Sequence, residues 1–91
     1  MTEQEIYQSA INKFGTISQL EMLQEEATEL ALATRRMIRK PSTKHEIELY
    51  NEVADTLIMI EQLKLMLSGA YEEIKKAKQF KLKRLEEIIN E

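Results

Sequence analysis

The sequence of 91 residues contains no cysteine and no tryptophan, and it has only two glycines and one proline. Without cysteine, disulfide frameworks and thiolate metal sites are excluded, and a reducing cytoplasm is the predicted location. The longest uninterrupted apolar runs have four residues, whereas a membrane span needs roughly 20. The first ten residues also lack the basic and apolar regions of a signal peptide. We therefore expect one cytoplasmic domain, residues 1–91, that does not associate with membranes.

A large excess of one charge is lacking as well, because 13 basic residues stand against 16 acidic ones, for a net charge of −3. This balance argues against stable nucleic-acid binding. The charges are nevertheless segregated along the chain. Four acids and no base lie between Glu21 and Glu29, and six bases and no acid lie between Lys75 and Arg84. Each segment is either a solvated helix face or part of a binding site, one for cations and one for anions.

The few glycine and proline residues divide the chain into four segments that are rich in helix formers and show no strand-like alternation. We predict helices near residues 3–14, 17–39, 44–68 and 71–90. The residues suited to cap them are Thr16 or Ser18 for the second helix, Ser42 or Thr43 with Glu46 for the third, and Gly69 for the end of the third.

The third predicted helix is unusually apolar. From Val53 to Leu67, ten of fifteen residues are apolar, and they are distributed nearly all round the helix. Such a helix is normally buried on every side, which three other short helices of one chain can hardly achieve. We therefore predict an all-α four-helix bundle that is completed by oligomerisation, as a dimer or a dimer of dimers.

Two pairs of carboxylates stand at the borders of the apolar stripes. Glu26 and Glu29 are three residues apart, and so are Glu52 and Asp55, so each pair lies on one helix face. Stacked like charges beside apolar residues are costly unless a cation neutralises them. Oxygen ligands alone suit Mg²⁺, with Mn²⁺ as a possible substitute. The pattern therefore predicts a metal site between the second and third helices.

The acidic pairs and the single histidine also have interpretations that involve no metal. The acidic pairs could instead form ion pairs with Arg35, Arg36 or Lys64. His45 is the only histidine and follows no Glu-x-x-His pattern, so we expect a surface residue rather than a di-iron ligand. No serine–histidine–aspartate set and no glycine-rich phosphate loop are present.

A family resemblance supports the metal site. The sequence "EATE" at Glu26–Glu29, a gap of 22 residues and "EVAD" at Glu52–Asp55 resemble the E-x-x-E…E-x-x-D signature of the all-α nucleoside triphosphate pyrophosphohydrolases. This MazG-like superfamily includes dimeric dUTPases and dCTP pyrophosphatases. The flanking "QLEMLQEEATELALA", "NEVADTLIMIEQLKLML" and "KLKRL" look like its small phage and prophage members, and the similarity runs from about Lys13 to Leu85.

The resemblance implies a MazG-type bundle that hydrolyses a (d)NTP to (d)NMP and pyrophosphate with Mg²⁺, in nucleotide-pool housekeeping. It implies metal-binding and catalytic roles for Glu26, Glu29, Glu52 and Asp55, and substrate contacts for Gln19, Gln62, Lys81 and Arg84. Lys81 and Arg84 would contact phosphate oxygens, in the same chain or across a subunit boundary. A non-catalytic oligomerisation or adaptor module of the same family is the alternative. Base and sugar preference stay open, since Phe14 and Tyr50 are expected in the core more than at a base.

Overall fold

A computed structural model describes residues 1–91 as four helices without strands. The helices are α1 (Glu3–Phe14), α2 (Thr16–Arg39), α3 (Thr43–Met66) and α4 (Ala70–Ile89). The prediction of an all-α chain with four helices is confirmed, and each helix boundary lies within two residues of the predicted one.

The helix caps differ in part from the predicted ones. Ser42 caps α3 as expected, because its side chain accepts a hydrogen bond from the backbone N–H of His45 at 3.1 Å. The prediction for α2 is wrong, since this helix starts directly after Gly15 without a side-chain cap. A capping box at α1, in which Thr2 and Glu5 exchange hydrogen bonds, was not predicted.

The two glycines lie in two of the three turns between helices. Gly15 has a φ of 89° and lets the chain pass from α1 to α2 within one residue. Gly69 has a φ of 78° and precedes the first residue of α4, whereas α3 ends at Leu67. Gly69 therefore caps the start of α4 and not, as predicted, the end of α3. Positive φ angles of this size are open to glycine at little cost.

The centre of the fold is the hairpin of α2 and α3. α1 packs against both of these helices, and α4 contacts only α3. Ala33 and Met59 are buried between the hairpin helices, and Ile11 adds an apolar side chain from α1. The other three buried residues are polar: Gln19, Thr56 and Gln62. The apolar core of one chain is therefore very small.

A single chain leaves much apolar surface exposed. Its accessible surface is 7268 Å², whereas a compact monomer of this mass has about 5,500 Å². Its radius of gyration is 15.9 Å, against about 12 Å for a compact domain of this length. Val53, Leu57 and Leu65 of α3 are exposed, and α4 has no buried residue. Phe14 and Tyr50 are also exposed, so the expectation that they lie in the core is not met within one chain.

Candidate metal centre

Two hydrogen bonds define the alignment of α2 with α3. The side-chain amide of Gln19 donates to Oε1 of Gln62 at 2.6 Å, and the hydroxyl of Thr56 donates to the carbonyl oxygen of Glu26 at 3.3 Å. A step forward along α2 thus corresponds to a step backward along α3, as in an antiparallel pair. This register places Glu26 opposite the turn of α3 that carries the second predicted acidic pair.

Three of the four predicted carboxylates come together. One oxygen each from Glu26, Glu52 and Asp55 lie within 4.8 Å of one another, and we call these three residues the carboxylate cluster. Glu26 and Glu52 are half-buried, and Asp55 is exposed. The fourth residue, Glu29, is exposed and lies one helical turn beyond Glu26, outside the cluster.

The cluster is electrostatically unfavourable without a cation. Burial from water raises the pKa of Glu26 above its ordinary value, and the charges of Asp55, Glu52, Glu29 and Glu25 raise it further. Oε2 of Glu52 is buried and has no hydrogen-bond partner. Buried polar atoms are nearly always paired, so an unpaired carboxylate oxygen beside two other carboxylates indicates a ligand that carries positive charge.

No basic side chain of this chain forms an ion pair with the cluster. The ion pairs join Lys64 to Glu61 at 2.9 Å and Lys76 to Glu73 at 3.5 Å. Ion pairs of the acidic motif with Arg35, Arg36 or Lys64, the ordinary alternative, are therefore not formed. Because the donors are all carboxylate oxygens, the cluster suits a cation that prefers oxygen ligands and not a metal that prefers nitrogen or sulfur, and Mg²⁺ or Mn²⁺ stays a prediction.

The two predicted glutamine contacts lie apart from the cluster. Gln19 and Gln62 are only 6% and 4% exposed, and they hydrogen-bond to each other between α2 and α3. Each is seven residues from a cluster carboxylate on its own helix, which is about 10.5 Å along the helix axis. The structure shows them as an internal polar pair that aligns the hairpin, and their contact with a nucleotide stays a prediction.

The two predicted basic residues lie on α4. Lys81 borders an apolar groove that runs along this helix, and Arg84 lines a shallow depression with Phe80 and Glu87. Neither forms an ion pair with the carboxylate cluster of the same chain. A role at the phosphates therefore stays a prediction for both.

A cavity beside Glu52 was not predicted. It has a volume of about 420 Å³, and its lining includes Arg36 of α2 with Lys44, His45 and Glu48 of α3. The signal in the sequence is the spacing of Lys44, Glu48 and Glu52, which are four residues apart and so share a helix face. His45, expected at the surface, is half-buried at this cavity.

A larger cavity of about 630 Å³ lies where α1, α3 and α4 meet, and it contains no member of the cluster. Four of its polar side chains are paired with one another. The hydroxyl of Tyr7 donates to Glu3, which raises the pKa of Tyr7 to about 12, and Lys64 pairs with Glu61. This cavity therefore gives less indication of a charged ligand than the cluster does.

No protein-family model, curated protein or solved structure matches the chain. None of the four helices combines the length and the apolar character that crossing a membrane requires.

Proposed function

We propose that this protein is a Mg²⁺-dependent nucleoside triphosphate pyrophosphohydrolase that converts a (d)NTP to (d)NMP and pyrophosphate. The observation that carries the proposal is the carboxylate cluster, in which Glu26, Glu52 and Asp55 converge without a basic partner. The three residues belong to the two acidic motifs whose order and spacing resemble the MazG-like superfamily. Nucleotide-pool housekeeping in the cytoplasm is the role that this activity would serve.

The donor set fits Mg²⁺. Glu26, Glu52 and Asp55 would hold the ion, and the unpaired Oε2 of Glu52 is a ready ligand. Mg²⁺ bound there would neutralise phosphate charge and lower the pKa of a bound water. Because the three ligands are held on two packed helices, they need little rearrangement to bind the ion.

The residues of the chain supply position and proton transfer. Glu29 is exposed and outside the cluster, yet its charge contributes to the raised pKa of Glu26. It is therefore free to orient the attacking water or accept its proton, or to join the ligands of a second ion. Gln19 and Gln62, two helical turns from the cluster, are the proposed contacts to the nucleoside.

The proposal includes a homodimer or a dimer of dimers. The surface of one chain exceeds that of a compact monomer by roughly 1,800 Å², which is more than the approximately 800 Å² that each partner buries in a standard interface. The exposed apolar side chains of α3 and α4 contribute to this surface. Since α4 contacts only α3 of its own chain, a second copy is the proposed route by which Lys81 and Arg84 reach the phosphates.

The test is a hydrolysis panel of canonical and modified (d)NTPs with Mg²⁺ and identification of the products. We expect pyrophosphate and a nucleoside monophosphate from at least one substrate, and Glu52→Gln should reduce the rate by at least 100-fold. Glu21→Gln, an exposed residue of the same helix as Glu26, is the matched control and should retain activity. Phosphate released stepwise, or equal rates for both variants, would contradict the proposal.

The exposed apolar faces also fit the alternative, a non-catalytic helical adaptor of the same family. An adaptor should oligomerise normally, show no stabilisation by Mg²⁺ and tolerate Glu52→Gln without loss of partner binding. A thermal-shift titration with Mg²⁺ and a non-hydrolysable nucleotide therefore separates the two functions before any substrate is known.

A further inference from the structure

The cavity beside the carboxylate cluster combines basic side chains with a cluster carboxylate. Arg36 reaches it from the last turns of α2, and Lys44 and His45 reach it from the first turn of α3. Glu52, two turns further along α3, lines the same cavity. Its volume of about 420 Å³ lies within the range of small-molecule sites, roughly 300–1,000 Å³. A ligand here meets basic groups near the hairpin turn and the candidate metal centre at Glu52.

The basic groups of this cavity are not used by the fold. Arg36 and Lys44 form no ion pair, although Glu48 lines the same cavity. Lys44 is the second residue of α3, where the partial positive charge of the helix N-terminus disfavours a cation. An anion in the cavity would relieve this repulsion. The planar guanidinium of Arg36 can also bind two phosphate oxygens at once.

His45 is held in place by two hydrogen bonds. Its ring Nδ1 lies 2.7 Å from the carbonyl oxygen of Lys40, and its backbone N–H donates to Oγ of Ser42 at 3.1 Å. A carbonyl oxygen can only accept, so Nδ1 carries the hydrogen. Nε2 is then the ring nitrogen without a partner, and it can donate to a phosphate oxygen only when the ring is protonated to imidazolium.

We propose that this cavity binds the terminal two phosphates of the nucleoside triphosphate, with Arg36 and Lys44 on the phosphate oxygens and His45 beside them. The inference rests on the proposed function and gives the substrate a direction. The phosphates point towards the hairpin turn, and the nucleoside points the other way, towards Gln19 and Gln62.

The reaction is balanced in this orientation. The oxygen of water bonds to the α-phosphorus, and the bond from that phosphorus to the bridging oxygen of the β-phosphate breaks. The bridging oxygen leaves with the electron pair as part of pyrophosphate, and the proton of the water passes through a carboxylate to solvent. Arg36 and Lys44 then act on the leaving group, where negative charge develops.

Binding of inorganic tripolyphosphate with Mg²⁺, measured by calorimetry on the full chain, tests the cavity without a nucleoside. We expect Arg36→Ala and Lys44→Ala each to weaken binding by about tenfold, as for a lost hydrogen bond to a charged group. Arg36→Lys should restore part of the affinity. Arg35→Ala is the matched control, since Arg35 is exposed, adjacent and outside the cavity lining, and its affinity should equal that of the wild type.

The outcomes separate this inference from the proposed function. The assignment of the cavity as the phosphate site would be wrong if tripolyphosphate bound equally well to Arg36→Ala, Lys44→Ala and Arg35→Ala. Normal (d)NTP hydrolysis by the wild type would then still support the proposed function. Absence of tripolyphosphate binding to the wild type would also overturn the assignment of the cavity. If tripolyphosphate binding depends on Arg36 and Lys44 but the wild type hydrolyses no (d)NTP, the cavity is an anion site and the proposed function is wrong.

Discussion

Replacement of Asp55 by asparagine should stabilise this protein when divalent cations are absent. Asp55 is the exposed member of the carboxylate cluster, and its charge is among those that raise the pKa of Glu26. Asparagine keeps the shape of the side chain and has a similar helix propensity, so the change removes mainly the charge. A residue kept for folding alone would be expected to lose stability on substitution.

The size of the effect follows from the geometry. At the 4.8 Å that bounds the cluster, two unit charges repel by about 0.9 kcal/mol in bulk water and about 3.5 kcal/mol at an effective dielectric constant of about 20. Because Asp55 is exposed, the lower part of this range applies to its pairs with Glu26 and Glu52. We expect Asp55→Asn to raise the free energy of unfolding by about 1–2 kcal/mol, which shifts Tm upwards by roughly 5–10 °C.

Thermal unfolding at fixed protein concentration, in EDTA and in saturating Mg²⁺, measures both the stabilisation by Asp55→Asn without cation and its weaker stabilisation by Mg²⁺. The wild type should gain about 2.7 kcal/mol at a Mg²⁺ concentration of about 100 times Kd, whereas Asp55→Asn should gain much less. The order of stability of the two proteins therefore reverses between EDTA and Mg²⁺. Glu21→Gln, the control outside the cluster, should follow the wild type in both conditions. If Asp55→Asn were no more stable than the wild type in EDTA and responded equally to Mg²⁺, the reasoning about the cluster would be refuted.

Three further predictions concern other parts of the molecule. The pKa of Glu26 is raised in the folded state, so without metal its protonation stabilises the fold fully below the ordinary pKa, and this stabilisation is lost as pH rises through the folded pKa. Urea unfolding of the wild type and of Glu26→Gln across about pH 4–8 should show this loss, and the affinity for Mg²⁺ should rise over the same interval. Gln19→Leu leaves Oε1 of Gln62 buried without its donor and should cost about 1–3 kcal/mol in urea unfolding, whereas the double change to leucine should recover most of that loss; additive losses would contradict the pairing. Leu57→Glu, at an exposed apolar position of α3, should convert the proposed oligomer to monomers in sedimentation velocity. An oligomer of unchanged size would show that this face of α3 is not the interface.

The sequence was sufficient for the helices because its few breaking residues stand where the chain turns. Gly15 and Gly69 carry the positive φ angles, and Ser42 caps α3 after the only proline. The assignment of Gly69 to the end of α3 was wrong, since a glycine in a short turn can serve the helix before it or the helix after it. Which of the two it serves depends on tertiary packing of the helices, and local propensity does not contain that information.

For the site, the helical period predicted that each acidic pair lies on one helix face. It did not predict which of the four carboxylates come together between α2 and α3. The register of α2 against α3 decides this, and it depends on contacts between residues distant in sequence, namely Gln19 with Gln62 and Thr56 with Glu26. The same register separates Glu29 from the cluster. The cavity at Arg36 and Lys44 was missed for a similar reason, because its basic residues come from two helices and no continuous run marks them.

The register also predicts that metal binding does not depend on assembly. All three cluster carboxylates lie on the hairpin of one chain, and the buried glutamine pair aligns that hairpin without help from α4. A monomeric Leu57→Glu protein should therefore still be stabilised by Mg²⁺. The proposed contacts of Lys81 and Arg84 differ, because α4 has no buried residue in a single chain and the proposed second copy would hold it in place. If that monomer is still stabilised by Mg²⁺ but no longer hydrolyses the substrate, the second copy contributes residues that contact the phosphates. If it loses both stabilisation by Mg²⁺ and hydrolysis, the structure of the hairpin itself depends on assembly.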